Sequence, residues 1–126
     1  MDVPYLDCSS ETSEILEPTG DRLVWLASDI NPDDYLVTLN DAALAEIEQL
    51  AQFFTDNPLP LLQRKLEELE LPSCQTLMAQ MKSILDDGVG FAVLDRLPVD
   101  DYPIETLLEV YWVFGQCIGR PVAQKW

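Results

Sequence analysis

The sequence predicts a helix-rich α+β fold with a few short strands. Three observations carry that prediction. Apolar residues recur at helical spacing in three stretches, residues 41–54, 72–87 and 103–118. Two shorter runs, residues 35–39 and 91–94, are β-branched and aromatic or continuously apolar, as strands are. Proline and glycine punctuate the boundaries between them.

Taken in order, residues 1–20 mix acids, Ser and Thr with isolated apolar positions and end in Pro18-Thr19-Gly20. They are expected to form a mobile or loosely docked acidic arm, followed by one α+β unit over residues 21–126. Leu23-Val24-Trp25-Leu26 reads as a short strand or an anchoring loop, and Asn31-Pro32-Asp33-Asp34 as a turn. After the strand of residues 35–39, Asn40 stands where an N-cap belongs and Asp41 favours the positive end of the helix dipole. Leu44, Ile47, Leu50, Ala51 and Phe54 then form one helical stripe, which Pro58 and Pro60 end. Residues 61–71 combine helix formers with opposite charges three and four apart, so a short helix is expected there.

Pro72 suits a first helical turn, with Leu77, Met81, Ile84 and Leu85 on the apolar stripe that follows. Gly88 is expected just past that helix in the left-handed conformation. Phe91-Ala92-Val93-Leu94 reads as a strand covered on both faces. Pro103 suits the start of the last helix, with Glu105 in its first turn. Ile104, Leu107, Leu108, Tyr111, Phe114 and Ile118 are its expected apolar face, and Gly119 its end. Pro121-Val122-Ala123-Gln124 resumes an extended path, and the unit is expected to continue past Trp126.

Length and composition bound the functions. With 126 residues, 48% hydrophobic and 24% charged, the chain is one domain or part of one, and wholesale disorder is not expected. Twenty-three acids against seven bases give a formal net charge of −16. Residues 1–60 hold 13 acids and a single base, Arg22. Such a surface repels nucleic acid and anionic membranes, so neither is an expected partner. A solvated acidic surface is the ordinary account, and a nucleic-acid mimic for a basic partner the sharper one. Residues 1–10 lack the basic region and apolar run of a signal peptide, and no apolar run approaches the ~20 residues of a membrane helix. Cys8, Cys74 and Cys117 are odd in number and far apart, which fits a reducing cytoplasm better than a disulfide framework or a zinc site.

There is no histidine. That removes the usual general base at neutral pH, the usual zinc or iron ligand and every histidine-containing triad. Gly88-x-Gly90 has part of the look of a phosphate loop, but a dinucleotide site needs strand, glycines, helix, and here the order is helix, glycines, strand. Asp33-Asp34, Asp86-Asp87 and Asp100-Asp101 lack the spacing of a calcium loop and read as solvated loop acids. Trp25, Trp112 and Trp126 read as packing residues rather than a ligand cage. No serine has a plausible base, so no catalytic residue is assigned.

The passage Leu85-Asp86-Asp87-Gly88-Val89-Gly90-Phe91-Ala92-Val93-Leu94-Asp95-Arg96-Leu97-Pro98-Val99, followed by Phe114-Gly115-Gln116-Cys117-Ile118-Gly119-Arg120-Pro121-Val122-Ala123-Gln124, resembles the N-terminal region of TauD/TfdA-type dioxygenases, near the gamma-butyrobetaine hydroxylase and clavaminate synthase-like members. Upstream, Val24-Trp25 and residues 35–54 are similar to the entry segment of some members. The resemblance covers residues 20–126 and implies the helix-rich N-terminal portion of a double-stranded β-helix, or jelly-roll, oxygenase fold. It implies iron(II) and 2-oxoglutarate for the full-length family and oxidation of a small molecule. The family's two-histidine, one-carboxylate facial triad cannot be carried onto this chain, and neither can its arginine for the cosubstrate. What carries over is scaffold: Gly88, Gly90, Phe91, Pro98, Gly119 and Pro121 as structural motif, with Gln124 placed near the entrance to the site. The expected partner is a C-terminal catalytic part or a second subunit. The other reading is a standalone acidic binding or regulatory module without catalysis.

Overall fold

A computed structural model describes residues 20–125. All of the expected acidic arm but Gly20, with Cys8, and also Trp126 lie outside them. The described residues form an α+β unit of three helices and a two-stranded parallel sheet. Strand β1 (Leu36–Thr38) leads into helix α1 (Asp41–Asp56); two 3-10 turns, Leu61–Gln63 and Leu66–Glu68, lead to helix α2 (Pro72–Asp87); strand β2 (Val93–Asp95) then precedes helix α3 (Ile104–Ile118). β1 and β2 run side by side in the register Leu36 to Val93, Val37 to Leu94 and Thr38 to Asp95. Parallel strands need a long crossover, and α1 and α2 supply it.

The helix boundaries follow from local chemistry. The Asn40 side chain accepts a hydrogen bond from the Ala43 N–H at 2.8 Å, closing the start of α1. Pro72 occupies the first turn of α2, where its missing N–H costs nothing. α3 starts one residue after Pro103, which serves as its cap, and it ends at Gly119. Ile47, Leu50 and Phe54 of α1 are buried as expected, but Leu44 is 37% exposed and Ala43 is buried in its place.

The core lies between the three helices and one face of the sheet. Val37 and Leu39 alternate inward from the β1 segment around an exposed Thr38. They meet Ile47, Met78, Val110 and Val113 in one cluster.

Four expectations are corrected. Residues 61–71 are not a helix. Proline brackets the segment, and α3 takes its polar backbone: Trp112 Nε1 and Gln116 Nε2 donate to the Arg64 carbonyl, and the Leu66 N–H donates to Gln116 Oε1. The second strand is not covered on both faces. It is Val93–Asp95, its Val93 is 43% exposed, and Ala92 and Leu94 pack against the core from the other face. The buried face of α3 is Val110, Val113 and Phe114, while Ile104, Leu108 and Tyr111 are exposed. Gly88 has φ −98°, so the left-handed residue of the turn is Gly90, with φ +89°. What Gly88 supplies is close approach: a Cβ there would lie 2.8 Å from the Ile84 carbonyl oxygen.

Candidate functional site

Five of the seven predicted site residues fall in two places. The first is the turn between α2 and β2. The Gly88 and Gly90 N–H groups both donate to the Ile84 carbonyl, at 3.0 and 3.3 Å, which folds the chain back on the end of α2. Residues 22–25 lie across this turn. Arg22 Nη1 donates to the Gly88 carbonyl at 2.8 Å and Trp25 Nε1 to the Val89 carbonyl at 3.0 Å. Leu23 fills the space where a Cβ at Gly90 would stand. Phe91 stacks on Tyr35, with ring centroids 4.8 Å apart, and meets Trp25 at 5.3 Å. The segment around Trp25 is therefore an anchoring loop, one of the two forms its sequence allows. The glycine turn presents carbonyls to its neighbours, which suits cations and N–H donors and not a phosphate.

The second place is an apolar groove of ≈ 610 Å³ beside the C-terminal halves of β2 and α3. Met78, Met81, Leu94, Leu97, Phe114 and Ile118 form its body, and Gly119, Arg120 and Pro121 stand at its wall. Gly119 and Pro121 are thus at the groove, Gly88, Gly90 and Phe91 at the glycine turn, and Pro98 is half-buried between β2 and α3. Gln124 is exposed. The groove can hold an apolar side chain or ligand, but it converges no set of polar groups on one point.

Sequence reasoning missed the buried cation Arg64, which is 4% exposed. Arg64 Nε donates to Glu109 Oε2 at 2.8 Å, and Nη2 donates to the carbonyls of Asn57 at 2.6 Å and Phe54 at 3.3 Å. Its guanidinium lies 4.4 Å from the Phe54 ring centroid. These contacts tie the end of α1 to α3 through a side chain from an irregular segment. They join residues up to 45 positions apart, which no local pattern announces. With Nε and Nη2 engaged, Arg64 acts as a clasp between the end of α1 and α3.

A second polar tie joins α1 to α2. Glu46 on α1 accepts the Ser73 and Cys74 N–H groups at 2.8 Å each, capping α2 from outside its own sequence. Burial pushes the Glu46 carboxyl up, but the two backbone donors outweigh it and hold the group below its ordinary value. The Cys74 thiol is pushed up to about 12, first by burial and then by the Glu46 carboxylate beside it. Burial likewise pushes Cys117 up. A thiol held protonated in this way is a poor nucleophile, so neither residue is suited to covalent chemistry.

The acid pairs serve turns and surfaces. Asp34 accepts from the Asn31 N–H at 2.7 Å, and Asp86 pairs with Lys82 at 2.6 Å on an exposed face of α2. Among the described residues no group of three or more His, Cys, Asp or Glu is placed to hold a metal ion, and no helix is long and apolar enough to cross a membrane. The residues present do not fit the iron(II) of the resembled family: the facial triad needs two imidazoles, and the chain has no histidine. Comparison with protein-family models and with curated proteins gives no match.

Proposed function

We propose that this chain is the entry scaffold of a TauD/TfdA-type, iron(II)/2-oxoglutarate-dependent dioxygenase that oxidises a small molecule. In this reading it supplies no metal ligand. The jelly-roll core, the iron and the cosubstrate belong to a catalytic part on the same polypeptide or on a second subunit. The observation that supports it is the pairing of β1 with β2. The resemblance draws on an entry strand and on a glycine–phenylalanine strand, and these two lie side by side in parallel register. The helices cover one face of that pair, and Val93 remains 43% exposed. A two-stranded sheet is marginal alone, so the pair fits the start of a larger sheet.

The test is the size and sequence of the native product. An antibody against residues 41–56, followed by mass spectrometry of what it captures, should find a product, or a stable complex, several times larger than 14.2 kDa that carries a His-x-Asp/Glu segment and a distant histidine. A free 14.2 kDa product with no such partner would overturn the proposal in favour of the standalone acidic module. The 126-residue chain alone should show neither stoichiometric iron(II) binding nor decarboxylation of 2-oxoglutarate.

A further inference from the structure

The α3 helix carries a second apolar stripe that its own fold leaves uncovered. Ile104, Leu108, Tyr111 and Gly115 follow one another at intervals of four, three and four, the spacing of a helix-pairing seam; the row ends at Ile118, which packs against the core, and Tyr111, Gly115 and Ile118 line the apolar groove. Ile104 is 64% exposed, Leu108 50% and Tyr111 71%. Gly115 lies inside the helix, where glycine is less favourable than alanine. A Cβ at Gly115 would meet nothing within 4 Å, so no contact within the chain explains its small size; Gly119 is equally open, at the end of the helix. An opposing surface that comes close at Gly115 would explain it.

We infer that this stripe is a self-association surface, on which two copies of the chain pair their α3 helices antiparallel about a two-fold axis beside Tyr111. Antiparallel pairing centred between Tyr111 and Trp112 sets Leu108 of one copy opposite Gly115 of the other, and Ile104 opposite Gly119. Large thus meets small at both ends, and symmetry repeats each contact. Parallel pairing would instead set Leu108 against Leu108 and leave a gap between the glycines.

Charge selects the same arrangement. The N-terminal end of α3 carries exposed Asp100, Asp101 and Glu105, and Arg120 is exposed at its C-terminal end. Antiparallel copies bring each Arg120 to the other's acidic end, whereas parallel copies oppose acid to acid. The two helix dipoles are also opposed, which is favourable.

The contact is modest. A 15-residue helix spans about 22 Å, and a stable interface buries roughly 800 Å² per partner, more than one such stripe offers. The net charge of −16 on each copy adds repulsion. Association is therefore reversible and concentration-dependent. It does not depend on the oxygenase reading, since the stripe belongs to this chain whatever larger product contains it.

Sedimentation equilibrium of the whole 126-residue chain, from micromolar to near-millimolar concentration, tests the inference. A reversible monomer–dimer equilibrium is expected, with Leu108→Glu abolishing the dimer and leaving the far-ultraviolet circular dichroism unchanged. Tyr111→Glu serves as a second disruption should the first variant fold poorly. Arg120→Glu and Glu105→Arg should each weaken the dimer severalfold, and the double swap should recover most of the loss, because opposite charges again face each other across the axis. A chain that stays monomeric throughout overturns the inference. So does a dimer indifferent to both disruptions. Single swaps that the double swap does not rescue would assign the stripe to a different partner or orientation.

Discussion

The two faces of α3 are both apolar, and only one of them is buried. Val110 and Val113 are 0% exposed and Phe114 4%, whereas Ile104, Leu108 and Tyr111 are each at least half exposed. Hydrophobic residues on a helix announce that a face can be buried, not that the same chain buries it. On α1 the two statements coincide at Ile47, Leu50, Ala51 and Phe54 and part at Leu44, because acids and amides occupy most of the other side of that helix. On α3 they part, because apolar residues nearly encircle it and the six expected inward positions include three that point out.

The most direct way to break this comparison is to truncate one ring on each face. Phe114→Ala should cost about 3–5 kcal/mol of unfolding free energy, through lost burial and the cavity left behind. Tyr111→Ala should change the stability of the monomer by less than about 0.5 kcal/mol, as exposed substitutions do. Urea unfolding of both variants in dilute solution checks the contrast. Equal losses would mean that Tyr111 is covered in the free chain and that the two faces do not differ.

A second comparison, between the polar edge of α3 and its apolar faces, sharpens the first. Glu109 sits on that edge and partners the buried Arg64, with side-chain exposures of 20% and 3%. Removing one partner of such a pair strands the other charge. Glu109→Gln should therefore cost about 3 kcal/mol, and Arg64→Met a comparable amount through the lost ties to the Phe54 and Asn57 carbonyls. The double variant should cost less than the sum of the two by at least about 1 kcal/mol, because the pair is coupled. Additive losses would show that Arg64 holds the segment through its carbonyl contacts alone.

How much was legible in the sequence follows the range of each interaction. Asn40 as a cap, Pro72 at a helix start and Gly119 at a helix end are decided within one turn of chain, and all three stand where the pattern sets them. The glycine turn was legible as a turn, but Arg22, Leu23 and Trp25 reach it from more than 60 residues away. The 3-10 path of residues 61–68 could not be read locally, since its alternative bonds come from Trp112 and Gln116. Of the residues assigned to the scaffold motif, Gly88, Gly90 and Phe91 meet at one turn, while Gly119 and Pro121 meet at the groove. The spacing of a motif fixes local conformation at each of its parts and leaves their assembly to the rest of the chain.

The smallest expected effect concerns the acids, most of which are exposed to solvent. Glu46 differs from them because two N–H groups at the start of α2 depend on it. Glu46→Ala should cost about 1 kcal/mol, as loss of a helix cap does. The sign of its pH dependence follows from its lowered carboxyl pKa. The carboxylate contributes its full share of stability above the ordinary glutamate value of about 4.3, and loses it as pH falls through the lower folded-state value. Unfolding curves of the parent chain and of Glu46→Gln should therefore converge as the pH falls below about 4 and stay apart at pH 7. The Asp33→Asn variant, which alters a carboxylate at an exposed turn, is the control and should track the parent at both. If Glu46→Gln tracked the parent at every pH, the two amides would be satisfied by water as well as by the carboxylate, and the tie between α1 and α2 would rest on apolar packing alone.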